Sequence, residues 1–344
     1  MNKGEAVQTG FTLDTKEQTT LIPWSPRSMA GTFDGDGHTI RGVYLNTDTG
    51  NAGLFSTVTG TVMNLRLRNS YFNCTDSTAE NYESPNYLYG SGSIAGSLSG
   101  TLDTVYSDAI VKHQYSYAGG LVGTVYNATT DGTANSTITN CCYAGEITAH
   151  QSVGGIVGLV VHTTATISHC LNAGKVVANN AMAGGLCGQV IAVGAGNSVM
   201  LHLIDNLNVG RAGGTVGGYH GAFIGAVRAK TSASASAAFV SSYYVKDYSD
   251  GNNSWEYIAR RSSAASYTFE GVPHASQSAD VNGWTEQEIM NKTQEDGTLL
   301  NLSFYANGQD SSSDGETKTC WWVAREGKIP MLESFEDLLM DVTY

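Results

Sequence analysis

Gly119-Gly120-Leu121-Val122-Gly123 is the stretch that decides the fold, because close copies of it recur along the chain. Gly-Gly-Ile-Val-Gly stands at 154–158, and Gly-Gly-Leu-Cys-Gly stands at 184–188. Weaker copies occupy 52–55, 92–96 and 220–225. Self-similarity at a period of about 20–50 residues is typical of folds in which each repeat packs on its neighbours. The sequence therefore predicts a stack of repeated units.

A second motif lies between these copies. Ile138-Thr-Asn-Cys-Cys-Tyr-Ala-Gly145 matches Ile167-Ser-His-Cys-Leu-Asn-Ala-Gly174, and 203–210 follows the same pattern. Cys141 and Tyr143 are two apart, which indicates a strand with one face turned inward. The step of three from Ile138 to Cys141 breaks this alternation and predicts a corner in the chain.

Alignment of the copies gives three columns of equivalent residues, whose successive members in the first column are 29 to 40 residues apart. The first column contains Val62, Leu102, Ile138, Ile167, Leu203 and Phe239. The second contains Leu65, Val105, Cys141, Cys170, Asn206 and Ser242. The third contains Tyr71, Val111, Ile147, Val176, Ala212 and Tyr248. Stacked strands would turn each column into a ladder of inward side chains.

We therefore interpret each repeat as one coil of about three short strands. We predict an all-β right-handed parallel β-helix, a solenoid of about six coils with N- and C-terminal caps. The predicted domains are a lead-in or cap at 1–30, the β-helix at 31–248 and a C-terminal cap region at 249–344. Capping-box patterns predict short helices in that last region, beginning at Thr285 and Ser334.

Composition and charge exclude several classes of partner. The chain has 41 glycines, 14% charged residues and a formal net charge of −13. This acidity disfavours nucleic acid, because phosphate binding requires clustered Lys and Arg. The sequence contains no apolar run long enough to span a bilayer. The first residues also lack the apolar stretch of a signal peptide, so a prediction of secretion assumes that a leader has been removed.

The six cysteines do not form a metal-binding or disulfide framework. They stand at Cys74, Cys141, Cys142, Cys170, Cys187 and Cys320, and none belongs to a CxxC pair. Cys141 and Cys170 share a column in adjacent repeats, where a disulfide or a ladder of free thiols would fit. Free cysteine is among the most buried residue types, so the sequence favours the reduced ladder.

The two motifs resemble the GLUG repeat of bacterial surface proteins. Gly31-Thr-Phe-Asp-Gly-Asp-Gly-His-Thr-Ile40 resembles the opening coil of such proteins, and Trp321-Trp322 followed by 327–332 resembles their ending. The resemblance implies a β-helix in adhesin-like or accessory regions of surface proteins. It implies no activity, because the family has no shared catalytic residues.

Few sequence patterns indicate a catalytic or metal-binding site. Asp34, Asp36 and His38 lie within five residues and could bind Ca²⁺, but an Asp-Gly turn is the favoured interpretation. Between 100 and 245 the carboxylates are sparse, mainly Asp103, Asp108, Asp131, Glu146 and Asp205. No HExxH helix, GxSxG elbow or phosphate loop occurs. The sequence therefore predicts no catalytic residues, no metal and no cofactor.

A tyrosine-rich insertion at 73–90 is the best candidate for a binding surface. It carries Tyr82, Tyr87 and Tyr89 beside Glu80 and Glu83, which suits a neutral or cationic polymer. The insertion is the exception at an otherwise constant corner, and loops at 126–137, 191–199 and 229–238 lie on the variable corner. We predict a non-catalytic secreted or cell-surface adhesion module that binds a glycan or a host or cell-surface protein. The alternative is a divergent carbohydrate-active enzyme, a polysaccharide lyase or glycoside hydrolase.

Overall fold

The structure is a computed structural model. It describes residues 23–76, 89–127, 135–179, 182–214, 219–230, 232–240, 242–245, 258–261, 265–270, 283–284, 310–311, 317–318, 322–325, 328–332 and 335. The regular elements of this part are short β-strands, and it contains no α-helix. This agrees with a composition rich in glycine and in β-branched residues.

The strands follow one another in a repeated order along the chain. The first two repeats contain β1 (Arg27–Met29), β2 (Thr32–Asp34), β3 (Thr39–Arg41), β4 (Tyr44–Thr47), β5 (Phe55–Val58), β6 (Thr61–Arg68), β7 (Tyr71–Cys74) and β8 (Gly90–Gly92). The next two contain β9 (Ala95–Leu98), β10 (Thr101–Ser107), β11 (Ile110–His113), β12 (Tyr117–Gly119), β13 (Val122–Tyr126), β14 (Asn135–Thr139), β15 (Cys142–Tyr143), β16 (Glu146–Ala149) and β17 (Ser152–Gly154).

The later repeats keep this order. They contain β18 (Val157–Val161), β19 (Thr164–Ser168), β20 (Leu171–Asn172), β21 (Lys175–Ala178), β22 (Met182–Gly184), β23 (Cys187–Val193), β24 (Ser198–Ile204), β25 (Leu207–Asn208), β26 (Arg211–Gly214), β27 (Tyr219–Gly221), β28 (Ile224–Lys230), β29 (Ser234–Val240) and β30 (Tyr243–Val245). The remaining strands are β31 (Ile258–Arg261), β32 (Ala265–Glu270), β33 (Gly283–Trp284), β34 (Asp310–Ser311), β35 (Thr317–Lys318), β36 (Trp322–Arg325) and β37 (Lys328–Leu332).

Strands from successive repeats pair in parallel and form four sheets, which we number I to IV in the order in which the chain visits them. Sheet I contains β1, β5, β9, β13, β18, β23, β28 and β31. Sheet II has 14 strands, sheet III runs β4-β7-β11-β16-β21-β26, and sheet IV runs β8-β12-β17-β22-β27. The last four strands form two antiparallel pairs, β34 with β35 and β36 with β37. Stacked parallel sheets of this kind make a β-helix-like fold.

The first predicted column is confirmed along its whole length. Leu102 pairs with Val62 on one side and with Ile138 on the other, and the same register continues through Ile167 and Leu203 to Phe239. All six side chains are buried in one hydrophobic core. Full burial of such side chains contributes about 1.5–3 kcal/mol each. The core therefore runs through the middle of the stack.

The third column is confirmed from Val111 through Ala212, but its first member is wrong. Val111 pairs with Phe72, which is fully buried, whereas Tyr71 pairs with Ile110 and lies outside the core. Between Leu65 and β7 the chain has one residue more than the equivalent segment of the next repeat. The extra residue places Phe72 on the inner face of the sheet and Tyr71 on the outer face. The last member, Tyr248, lies outside the described residues.

The step of three in the second motif produces a left-handed corner within sheet II. Asn64, Asn140 and Asp205 occupy this position with φ of 53°, 53° and 54°. Asparagine and aspartate tolerate this backbone region better than other residues with a Cβ. Thr104 and His169 adopt the same conformation, with φ of 55° and 51°. The third position of the I-x-N-C motif is therefore polar because such residues tolerate the left-handed backbone conformation.

The glycines of the first motif recur for a different reason, since none of those in the three best copies has a positive φ. A Cβ on Gly158 would stand 2.6 Å from the carbonyl carbon of Ala118, and one on Gly188 would stand 2.6 Å from the Val153 nitrogen. The backbones of sheets I and IV approach so closely at this corner that a side chain has no room. Glycine therefore recurs here because the backbones approach closely, and not because a positive φ is needed.

A ladder of polar side chains fills the core opposite the second glycine of the motif. The Asn172 side chain donates to Asn208 over 2.9 Å, and Asn208 donates to the Ala222 carbonyl over 2.8 Å. A Cβ on Gly155 would collide with the Asn172 side chain. Because these buried amides are hydrogen-bonded, they fix the register between repeats without a net penalty.

The described cysteines are all buried and free, as the reduced-ladder prediction requires. Cys141 donates to the Thr139 carbonyl over 3.0 Å, and Cys170 donates to the Ser168 carbonyl over 3.2 Å. Burial raises the pKa of Cys141 well above its ordinary value. A protonated thiol is a poor nucleophile, so Cys141 serves packing. Cys320 lies outside the described residues.

Part of the C-terminal region packs on the side of the stack. Phe335 is fully buried, and its ring centroid lies 5.6 Å from that of Tyr106 on the outer face of sheet II. The capping-box segment at 285–288 and the predicted start at Ser334 lie outside the described residues. The predicted domain boundaries remain predictions.

Candidate functional site

The predicted site residues fall mainly outside the described part of the chain. Glu80, Tyr82, Glu83 and Tyr87 belong to 77–88, which the structure does not describe. Tyr89 is described and half-buried. Its Cδ1 lies 3.8 Å from the place that a Cβ on Gly50 would occupy, so its ring packs beside the loop that follows β4. That contact agrees with partial packing of this tyrosine on the stack.

The two ends of the insertion are fixed by the loop at 50–51. Asp76, which precedes the undescribed segment, accepts a hydrogen bond from the Gly50 nitrogen at 2.9 Å. Gly90, which follows it, donates from its nitrogen to the Asn51 side-chain oxygen at 3.1 Å. Asp76 is almost completely buried. The scaffold therefore determines where the insertion leaves and re-enters the stack.

The outer face of sheet III beside this insertion carries a group of aromatic and polar side chains. The rings of Tyr44 and Tyr71 stack with centroids 6.0 Å apart and planes 10° from parallel. Lys112 Nζ lies 5.6 Å from the Tyr71 ring centroid. Asn73 donates to the Asn46 side-chain oxygen over 2.7 Å. We call these five residues the tyrosine–asparagine surface.

This surface exists because of the extra residue that moves Tyr71 to the outer face. Asn69 sits at the corner with φ of 48°, and its nitrogen donates to Asp108 over 2.7 Å. Asp108 also accepts from Arg68 Nε over 2.8 Å. These bonds hold the longer corner in place. This surface was not predicted from the sequence. The signal that could have revealed it is the alternation of Tyr71 and Asn73 with the apolar Phe72 and Cys74.

A buried thiol and a buried imidazole end two neighbouring strands of sheet III. Cys74 and His113 are partners in adjacent strands of sheet III. Burial raises the pKa of Cys74, and burial lowers the pKa of His113. Both shifts favour the neutral forms, whereas cysteine nucleophiles act as thiolates. Within the described residues no group of three or more His, Cys, Asp or Glu side chains is arranged to hold a metal ion.

The Asp34-Gly-Asp-Gly-His38 segment forms a turn, as predicted. The Asp36 nitrogen donates to Asp34 Oδ1 at 2.9 Å, and the His38 nitrogen donates to the Gly35 carbonyl at 2.8 Å. The Asp36 amide and the Asn64 side chain lower the pKa of Asp34. A cavity of about 230 Å³ beside the turn is lined by Asp36, Gly37, Asn64, Arg66, Thr104 and Phe335.

The described carboxylates between 100 and 245 engage separate partners. Asp103 accepts from Asn140 over 3.1 Å, and Asp108 accepts from Arg68. Glu146 pairs with Lys175 over 3.2 Å, and Asp205 lies 3.5 Å from His169. Asp131 lies outside the described residues. Acid–base catalysis requires two such groups converging on one substrate, and these four are distributed over sheets II and III and their corners.

The two described variable loops are shorter than predicted. In 191–199 only 194–197 lie outside strands, with Gly194 and Gly196 at φ of 93° and 82°. In 229–238 the strands end at Lys230 and resume at Ser234. The additional residues lengthen β23, β24, β28 and β29 instead of forming long binding loops. Of 126–137, the structure describes 126–127 and 135–137.

The chain resembles a solved structure from Bacteroides ovatus that is named "putative immunoglobulin A1 protease". The two share 18% sequence identity with a TM-score of 0.54, over 84% of this chain and 77% of that one. A likeness at this identity shows the fold alone. No protein-family profile matches the chain, and no curated protein matches it. The resemblance to GLUG-motif proteins remains a prediction.

The described part of the chain contains no helix of the length and hydropathy that a membrane span requires.

Proposed function

We propose that this chain is a secreted or surface-displayed binding module that holds a glycan and catalyses no reaction. In this proposal its scaffold is a right-handed parallel β-helix of about six coils with caps at both ends, related to the GLUG-motif surface proteins. The observation that carries the proposal is the tyrosine–asparagine surface, which lies beside the tyrosine-rich insertion on rigid strands. Host or cell-surface proteins remain the other predicted class of partner.

The chemistry of this surface suits a sugar chain. Tyrosine offers an apolar ring with a polar tip, and its rings contact the C–H groups of sugars without a large loss of side-chain entropy. Asn46 and Asn73 supply amide groups that donate to and accept from hydroxyls. Lys112 is exposed and adds a donor above Tyr71. Tyr82, Tyr87 and Tyr89, with Glu80 and Glu83, would extend the surface along the insertion.

The rigidity of the scaffold supports binding by this surface. Tyr44 and Tyr71 belong to neighbouring strands whose inner residues, Leu45 and Phe72, are buried in the core. A side chain that is already fixed in its bound position loses less entropy when a ligand arrives. Binding residues carried by rigid strands therefore favour affinity for a repetitive polymer.

The alternative function is a divergent carbohydrate-active enzyme. It requires carboxylates that converge on one groove, and those described between 100 and 245 engage separate partners. The protease in the name of the Bacteroides ovatus structure offers a further enzymatic class, supported by likeness of fold alone. Incubation of the chain with its bound glycan tests the carbohydrate-active alternative, because such an enzyme releases new chain ends and a binding module does not.

The binding experiment uses an array of immobilised neutral and acidic glycans. The parent chain should bind at least one neutral glycan, and the variant Tyr44→Ala/Tyr71→Ala should lose at least about tenfold in affinity for it. The matched control is Glu146→Ala/Lys175→Ala, which removes an exposed ion pair from the same outer column of sheet III. The control should bind within about twofold of the parent. A parent that binds no glycan, or a tyrosine variant that binds like the control, would overturn the proposal.

A separate triple variant tests whether the tyrosine-rich insertion at 73–90 contributes to binding. Tyr82→Ala/Tyr87→Ala/Tyr89→Ala should abolish binding to the same glycan and leave the thermal midpoint nearly unchanged. A variant that melts many degrees lower would show that these tyrosines pack the insertion onto the stack. A variant that binds as the parent does would confine the site to the tyrosine–asparagine surface.

A further inference from the structure

The outer faces of sheets I and IV meet in a valley that runs along the stack. Tyr117 of sheet IV is buried against Leu159, Val161 and Ile191 of sheet I, in a cluster separate from the main core. Ser152 of sheet IV donates to Gln189 of sheet I over 2.9 Å. The close approach of backbones at the glycine corner allows these faces to touch. In the middle of the stack the valley is therefore filled by the protein's own side chains.

The chemistry of the valley changes towards its later repeats. Along sheet I the equivalent residues run from Leu159 through Gln189 and Ala226 to Arg260, which is exposed. Along sheet IV, Ser152 and Met182 give way to Tyr219, which is 42% exposed. The Arg260 guanidinium lies 4.8 Å from the Tyr219 ring centroid. An exposed cation and an exposed aromatic ring replace the buried residues there.

A guanidinium that lies over an aromatic ring can still bind an anion, because arginine carries five N–H donors. Arginine binds carboxylates by two parallel hydrogen bonds. A ring contact that holds the side chain in place reduces the entropy lost in forming them. No carboxylate of the described residues forms an ion pair with Arg260.

Basic residues share the face of sheet I that carries Arg260, although the whole chain is acidic. Residues 206–245 contain Arg211, Arg228 and Lys230 and no Asp or Glu, in a chain of net charge −13. Arg228 and Lys230 share the outer face of sheet I with Ala226, the residue that pairs with Arg260. At a rise of about 3.4 Å per residue, their Cα atoms lie about 7 and 14 Å along the strand from that of Ala226.

We propose that Arg260 and Tyr219 form a binding site for the carboxylate of an acidic sugar, within a chain of uronate residues that lies across the exposed end of the valley. The carboxylate binds the guanidinium edge, and the sugar ring lies against the exposed edge of Tyr219. The site is separate from the tyrosine–asparagine surface and adds acidic glycans to the proposed function.

The test uses the full chain and polygalacturonate, with fully methyl-esterified polygalacturonate as the uncharged probe. The parent should bind the acid form and not the ester, and binding should weaken as salt is added. Arg260→Gln should weaken binding about tenfold or more, because a charge-assisted hydrogen-bond pair is lost. Lys175→Gln is the matched control: it makes the same change of charge at an exposed position on sheet III and should bind within about twofold of the parent.

Two further measurements distinguish the remaining outcomes. Arg260→Lys keeps the charge but loses the planar fork, and it should bind more weakly than the parent if the stacked guanidinium is the site. Poly-glutamate should bind more weakly than polygalacturonate, because it offers no sugar ring to Tyr219. Equal binding by Arg260→Gln and Lys175→Gln, or equal affinity for the two polymers, would overturn the proposal. Because the tyrosine–asparagine variant is tested on a neutral glycan, failure of one site leaves the other testable.

Discussion

The inner and the outer face of sheet III differ in what holds their side chains, and β7 carries both faces in four residues. Phe72 and Cys74 point inward and are fully buried, whereas Tyr71 and Asn73 point outward and contact neighbours on the surface. An inner residue is enclosed by the repeats on both sides, so its size and polarity are fixed. An outer residue contacts only its ladder neighbours. Change on the outer face therefore alters the surface chemistry at little cost in stability.

The largest expected effect is that of a charge on the inner face. Ile167→Asp places a carboxylate between Ile138 and Leu203, where it has no partner, and an unpaired buried charge costs several kcal/mol. We expect the variant to be unfolded or insoluble. The control, Thr166→Asp, adds the same charge one residue away on the half-exposed outer face and should fold. Circular dichroism of the two proteins makes the measurement. A folded Ile167→Asp variant would contradict the register.

A cavity on the inner face should have the next largest effect. Phe72→Ala removes a fully buried ring and should lower the free energy of unfolding by about 3–5 kcal/mol. Tyr71→Ala removes a half-buried stacked ring and should cost about 1 kcal/mol. Urea denaturation of both variants measures the difference. If both variants lose the same free energy of unfolding, the inner and outer faces of β7 do not differ in burial as Phe72 and Tyr71 require.

Much of this contrast could be predicted from the sequence, because apolar residues recur at fixed spacing within each repeat. The first column is correct from Val62 to Phe239 for that reason. The prediction for Tyr71 was wrong because one extra residue at a corner reverses the alternation of inner and outer side chains. The spacing between repeats does not show where that extra residue lies. The cluster of Tyr117 with Leu159 was not predicted either. Apolar residues that fill the outer valley have the same pattern as core residues, and only the angle between two sheets distinguishes them.

The glycine corner gives an intermediate effect. Gly155→Ala should lower the free energy of unfolding by about 1–3 kcal/mol or more, because the new Cβ collides with the Asn172 side chain and the Gly185 carbonyl. Gly31→Ala is the control, since nothing lies within 4 Å of its Cβ position, and it should change stability by no more than about 0.5 kcal/mol. Thermal denaturation of both variants makes the comparison. If Gly155→Ala leaves the stability unchanged, this corner has space for a Cβ, which would contradict the close approach of the backbones.

The smallest expected effect is a gain at the left-handed corner. Thr104 is β-branched and adopts a φ of 55°, where equivalent repeats have Asn64 and Asn140. Thr104→Asn should raise the free energy of unfolding by up to about 1 kcal/mol, since asparagine tolerates this conformation. Thr137→Asn, in the extended strand β14, should give no such gain. A loss of stability in Thr104→Asn would mean that the Thr104 hydroxyl bond to Asp103, 3.0 Å long, outweighs the backbone strain.

The most direct test of the account compares binding and stability in the adjacent residues Tyr71 and Phe72. Tyr71→Ala and Phe72→Leu are measured for affinity to the neutral glycan found on the array and for the free energy of unfolding. We expect Tyr71→Ala to lose about tenfold in affinity and Phe72→Leu to bind as the parent does, although each loses about 1 kcal/mol of stability. If the two variants lose affinity equally, or if Tyr71→Ala loses none, the division between a structural inner face and a binding outer face is wrong.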